Sequence, residues 1–230
     1  MGLTIHYSFN LESASIDQAR EKIIALRNLA LQLAFAQVNE LTEISTEGCH
    51  VDNDNGDDPH ISMKIRAFKP IEIDTGNYCF TNPTYIIGFN TFPGQGCEPA
   101  VFGLACYSEI TAVNNWSWMT FCKTQYASNP DYGGLENFFR CHLTIVRLLD
   151  EAQKLGILRE VYDEGYYWNN RNLEELTDTI HKHNTLIAAF TGKVKDYFEE
   201  LGIENTKASI FNYSNFEYLE AEGNSSSNSE

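Results

Sequence analysis

Between Gly88 and Trp168 the polar residues of this chain sit inside dense apolar sequence. Gly94-Gln95-Gly96-Cys97-Glu98-Pro99, Phe121-Cys122-Lys123-Thr124-Gln125-Tyr126, Cys141-His142 and Asp163-Glu164-Gly165-Tyr166-Tyr167-Trp168 each set charge or hydrogen-bonding capacity beside hydrophobic runs. Unpaired polar groups are costly to bury, so such residues either form structural networks or line a site. Four of them have types that can do chemistry. Cys97 with His142 as base is the minimum nucleophilic pair, and Glu98 or Asp163 could instead activate a water. Each has a plainer alternative: a buried thiol, a rim carboxylate, and a satisfied core histidine. His142 shares its helical stripe with Leu135, Phe138, Ile145, Leu149 and Ala152, and no catalytic constellation is complete.

Lys123 calls for a partner. In strand register it shares a face with Met119, Phe121 and Gln125, opposite Trp116, Trp118 and Cys122. A lysine there must snorkel out, protect a sheet edge, pair with an acid or receive an anionic ligand. The expected arrangement is Lys123 held by Asp163 or Glu164 at a concavity roofed by the Gly94–Glu98 turn, with Trp168 as one wall. The binding candidates are therefore Lys123, Gln125, Asp163, Glu164 and Trp168, beside the weaker catalytic candidates Cys97, Glu98 and His142.

No metal or other cofactor is expected. The acidic run Asp52-Asn53-Asp54-Asn55-Gly56-Asp57-Asp58 fails as a calcium loop, because Gly falls at its fifth place rather than the sixth and Met63 at the twelfth. His181 and His183, two apart on a helix, point about 200° away from each other. Gly94-Gln95-Gly96 precedes a strand rather than a helix, so it lacks the setting of a dinucleotide fingerprint and reads as a tight turn.

The elements that must position these residues follow from periodicity. Leu3 to Leu11 alternates as a strand. Ser15 with Gln18 caps a helix whose apolar stripe runs to about Leu41. Ile61 to Phe68 reads as a strand stopped by Pro70, and Tyr85 to Phe92, Ala100 to Tyr107 and Trp116 to Tyr126 as three more. Ala100 to Tyr107 is apolar on both faces and so central. Gly133-Gly134 precede a helix to Leu155, Leu158 to Glu164 is a short strand, and Asn172 with Glu175 caps a last helix ended by Gly202. Consecutive strands without intervening helices predict an α+β fold. Its sheet is mixed and largely antiparallel, of about five to six strands, with three main helices packed on it. Residues 1–219 are expected to form a single domain, and 220–230 a disordered acidic, Ser-rich tail.

A net charge of −16, with no basic cluster to offset it, disfavours nucleic acid and anionic membranes. No run approaches the roughly 18–20 apolar residues of a membrane span, and no signal peptide is visible. Six cysteines without a CxxC pair then read as reduced thiols in a cytoplasmic protein.

The strings GCEP (96–99), FCKTQYA (121–127) and DEGYYW (163–168), in that order, resemble an uncharacterised family of bacterial proteins. The resemblance spans about residues 85–170 and loosely the first strand. It implies a self-contained cytosolic α+β domain and no particular reaction. The expected function is a non-enzymatic ligand- or protein-binding domain, regulatory in character, whose partner is a small molecule or a protein. Its rivals are a hydrolase-like enzyme using Cys97 or an acid-activated water, and a structural subunit, homo-oligomeric or otherwise, that docks through an aromatic face.

Overall fold

The computed structural model describes residues 3–50, 58–74, 76–107, 116–203 and 206–227. Asp52–Asp57 of the acidic run and the last three residues lie outside them. In chain order the elements are β1 (Thr4–Leu11), α1 (Ile16–Ala30), β2 (Gln37–Val38), β3 (Thr42–Ser45), α2 (Ile61–Ala67), β4 (Lys69–Asp74), β5 (Asn77–Thr81), β6 (Tyr85–Phe92), β7 (Ala100–Cys106), β8 (Trp116–Lys123), α3 (Gly134–Lys154), β9 (Leu158–Asp163), α4 (Tyr167–Asn170), α5 (Leu173–Glu200) and α6 (Phe216–Ser227). The α+β class is as the sequence predicts.

Seven strands form one antiparallel sheet in the order β2-β6-β7-β8-β1-β9, with β3 also on β6; β4 and β5 make a separate hairpin. β7 is buried along its whole length, with α1 lying across β6 and β7 and α2 across β6 and β8. At the core's centre Phe102 stacks on Tyr7 and Phe89, with ring centroids 5.1 and 5.6 Å apart. Such pairs add about 0.5–1.5 kcal/mol each beyond burial.

α1 begins at the expected capping box. Ser15 Oγ accepts from the Gln18 amide at 3.2 Å, and Gln18 Oε1 accepts from the Ser15 amide at 2.8 Å. It stops at Ala30 rather than near Leu41. The apolar spacing shortens there, to Leu33 and Phe35, and the chain turns into edge strands β2 and β3. Ile61 to Phe68 is a helix and not a strand. Its buried residues are Met63 and Ala67, four apart, while Ile65 between them is 56% exposed. The predicted tail is helical to Ser227. α6 lies close on α5 through two glycines: a Cβ at Gly223 would stand 2.4 Å from the Thr185 carbonyl oxygen, and one at Gly192 1.7 Å from Glu220 Oε1.

β1 organises the functional end of the sheet. It pairs antiparallel with both β8 and β9, so that Thr4 lies opposite Lys123 and Ile5 opposite both Cys122 and Asp163. The start of β1 and the ends of β8 and β9 therefore meet at one rim. The Thr124 amide donates to the Leu3 carbonyl at 3.1 Å and the Glu164 amide to the Thr4 carbonyl at 3.1 Å.

Candidate functional site

β8 ends at Lys123, and the chain tightens at once into a 3-10 turn over Gln125–Ser128. Gln125 thus leaves the strand register that would align it with Lys123. Tyr126 instead lies beneath the lysine, whose Nζ is 5.9 Å from the ring centroid. The loop between β6 and β7 is laced to the end of β8. The Glu98 amide donates to the Lys123 carbonyl at 3.0 Å, the Lys123 amide reaches Glu98 Oε2 at 3.4 Å, and Cys122 Sγ donates to the Glu98 carbonyl at 3.1 Å. Gly96 makes this possible. Its φ is +80°, and a Cβ would fall 2.2 Å from the Tyr126 carbonyl oxygen.

A cavity of about 490 Å3 opens here. It is lined by the Gly96–Glu98 loop, by Lys123 and Tyr126, by Asn129 and Tyr132 of the following turns, and by Ser209, Asn212 and Tyr213. A buried polar network joins the cavity at Tyr213. Gln125 Oε1 accepts from the Leu3 amide at 3.2 Å and Gln125 Nε2 donates to Asn184 Oδ1 at 3.1 Å. Asn184 Nδ2 donates to Ser128 Oγ at 3.0 Å, and Ser128 Oγ lies 3.0 Å from the Tyr213 hydroxyl. Burial pushes the Tyr213 phenol up, as it does that of Tyr126, to which the Glu98 charge adds. Both therefore remain neutral hydrogen-bonding groups across the physiological range.

Asp163 and His142 belong to a second network. His142 Nδ1 is 3.0 Å from Thr124 Oγ1 and Nε2 is 3.2 Å from Asp163 Oδ2. Asp163 also accepts from the amides of Gly165 (Oδ1, 2.8 Å) and Trp168 (Oδ2, 2.9 Å). Burial alone raises an acid, but the His142 hydrogen bond and charge and these two amides outweigh it and hold Asp163 below the usual carboxylate range. Ionised, it only accepts, so His142 Nε2 carries a proton; in the neutral ring Nδ1 then accepts from the Thr124 hydroxyl. The order hydroxyl–imidazole–carboxylate is that of a nucleophile, its base and the base's orienter. Here the three are closed off, with Thr124 and His142 at 0% and Asp163 at 1% exposure. The arrangement ties β8, α3 and β9 together and offers no attack path.

Of the residues singled out in the sequence, Cys97, Glu98 and Lys123 meet at the cavity. Gln125 is not among the lining residues but belongs to the polar network that joins the cavity at Tyr213. The expected pairing of Lys123 with Asp163 or Glu164 does not form. β1 stands between β8 and β9, which sets the two rims about 10 Å apart, and both acids are taken. Asp163 is held by His142, and Glu164 Oε2 accepts from the Thr4 amide at 2.8 Å. Trp168 is not a wall of this cavity: the Arg171 guanidinium covers its ring at 4.7 Å. Nor do Cys97 and His142 form a nucleophilic pair, since both imidazole nitrogens are engaged elsewhere. Burial raises the Cys49 and Cys122 thiols, and Cys49, Cys97, Cys106, Cys122 and Cys141 are all free. Among the described residues no group of three or more His, Cys, Asp or Glu side chains is placed to hold a metal, and no helix is long and apolar enough to cross a membrane.

Sequence reasoning missed Asn129, Tyr132, Ser209, Asn212 and Tyr213. They sit in turns and in the segment before α6, where no periodicity marks a role. One signal was available: Asn184 interrupts the Ile180–Ile187 stripe of α5, and a polar residue there had to find a buried partner.

Since Lys123 forms no ion pair among the described residues, its replacement by methionine should leave folding nearly intact. We expect the unfolding free energy of Lys123→Met to change by no more than about 1 kcal/mol, the scale of an exposed cation–π contact. A loss of about 3–5 kcal/mol in urea unfolding, the mark of a broken buried pair, would contradict this placement.

The fold and the site together define an α+β protein with a polar, aromatic-walled cavity at the open end of its sheet. Searches against family models, curated proteins and solved structures return no match to this chain.

Proposed function

We propose that the protein is a binding domain for a small polar ligand carrying an anionic group, taken up in the Lys123 cavity. The observation that carries this reading is an ammonium group at a cavity wall, without a carboxylate partner among the described residues, above the face of Tyr126. An anion would complete it by a charge-assisted hydrogen bond. Asn129, Ser209, Asn212 and the neutral tyrosines add donors and acceptors that fix orientation, and the volume suits a metabolite-sized molecule. The cavity is polar, and none of the described residues lining it is an activated nucleophile. Cys97 is kept protonated by its neighbour Cys141 and by burial, and Thr124 is sealed. These features favour binding over hydrolysis.

A thermal-shift panel of amino acids, hydroxy acids and dicarboxylates tests the proposal. At least one should raise the melting temperature of the wild-type protein and lose that effect in Lys123→Met. If no anion stabilises the protein, or if stabilisation survives the substitution, the reading is wrong.

A further inference from the structure

The cavity that holds Lys123 also holds a carboxylate. Glu98, on the loop from β6 to β7, lines it together with Lys123, and both residues are half-buried. The two are paired through the backbone: the Glu98 amide donates to the Lys123 carbonyl at 3.0 Å, and Glu98 Oε2 accepts from the Lys123 amide at 3.4 Å. Their side chains therefore start from one point of the wall. Yet the two charges leave each other free. Among the described residues neither Lys123 nor Glu98 forms an ion pair. The ammonium lies over the Tyr126 ring, with Nζ 5.9 Å from its centroid. The carboxylate turns one oxygen back to the Lys123 amide, and no described residue donates to Oε1. The other described lining residues carry no charge, so this pair sets the charge pattern of the cavity.

We infer, resting on the anion-binding reading above, that the ligand is a free α-amino acid in its zwitterionic form, with its carboxylate on Lys123 Nζ and its ammonium on Glu98 Oε1. A half-buried ammonium and carboxylate that share a wall without neutralising each other are completed by a molecule carrying both signs, through a charge-assisted hydrogen bond at each end. In an α-amino acid the two charged groups sit on one carbon. That matches an acceptor and a donor rooted on backbone-paired residues, whereas a ligand with its charges far apart needs them on separate walls. The field of the chain favours the same class. At a net charge of −16 the protein opposes the entry of a simple anion, and Glu98 would repel that anion again inside the cavity. A zwitterion brings no net charge into that field. The influence of Glu98 already reaches the aromatic wall, where its charge adds to burial in raising the Tyr126 phenol.

Titration calorimetry of the full chain near neutrality would compare the common amino acids with lactate and malate, and each amino acid that binds with its own 2-hydroxy acid and methyl ester. At least one amino acid should bind. Its hydroxy acid, which lacks the ammonium, and its ester, which lacks the carboxylate, should each bind about tenfold more weakly or worse, the value of one charge-assisted hydrogen bond. Glu98→Gln keeps an oxygen for the Lys123 amide; it should weaken the amino acid by a similar factor and spare the hydroxy acid. Binding of lactate, malate or a hydroxy acid as tight as that of any amino acid would overturn the inference and leave the anion-binding reading standing. An ester that binds as tightly as its amino acid, or no binding by any of these probes, would remove both. An amino acid whose affinity survives Glu98→Gln would overturn the role of Glu98. The wild-type comparison decides the matter even if the variant folds poorly.

Discussion

Replacing Asp163 with alanine is expected to lower the unfolding free energy by about 3–5 kcal/mol, because each buried donor left without its acceptor costs about 1–3 kcal/mol. Three donors lose their acceptor at once: His142 Nε2 and the amides of Gly165 and Trp168. All three lie where water does not reach Asp163 itself. Asp163→Asn keeps an oxygen for one amide but turns an NH2 group toward another donor, so its loss should be smaller yet clear. The wild-type increment also depends on pH. The folded pKa lies below the unfolded value of 3.8, so the stabilisation is fully present above that value. It is lost as pH falls through the lower folded value. Urea unfolding followed by tryptophan fluorescence should show wild type and Asp163→Ala converging only in strong acid. A gap under about 1 kcal/mol near neutrality would mean that Asp163 is not the hub of this network.

Gly96→Ala should damage stability and binding together. The new methyl would sit 2.2 Å from the Tyr126 carbonyl oxygen, 2.4 Å from its carbon and 2.5 Å from the Ala127 nitrogen. These are backbone atoms in a hydrogen-bonded turn and cannot swing aside. The left-handed φ of +80° adds strain, costing on the order of 1–3 kcal/mol, and relief of the overlap costs about as much again. The loop must lift, which breaks the Glu98–Lys123 backbone bond and removes the cavity's roof. Chemical denaturation should show the loss, and the thermal shift induced by a bound carboxylate should vanish. Retention of both would show that the loop approaches the turn less closely than described.

The sequence made the sheet legible where burial was one-sided or complete: β1 alternates with Ile5, Tyr7 and Phe9 inward, and β7 is apolar throughout. It misled where a short apolar run fitted two periods. Residues 61–68 alternate on paper, yet the chain buries Met63 and Ala67 one helical turn apart. At the site, the local feature was readable: a lysine in an apolar strand beside glycine turns. Its surroundings were not, because they depend on strand order. Only the placement of β1 between β8 and β9 separates Lys123 from Glu164 and gives Asp163 to His142. The residues facing Lys123 come from a turn at 129–132 and a segment at 209–213, about eighty positions apart, and no pattern in either announces the other.

The claim that the Lys123 cavity receives an anionic ligand is tested most directly by amide chemical-shift mapping with the carboxylate that stabilises the protein most. On titration, the amides of Gly96, Cys97, Lys123, Tyr126 and Asn212 should shift together and saturate, and Lys123→Met should show no such response. Shifts confined to another part of the surface, such as the cleft along α5 lined by Glu174, Asp178 and Lys182, with the Gly96–Tyr126 amides unmoved, would contradict the account.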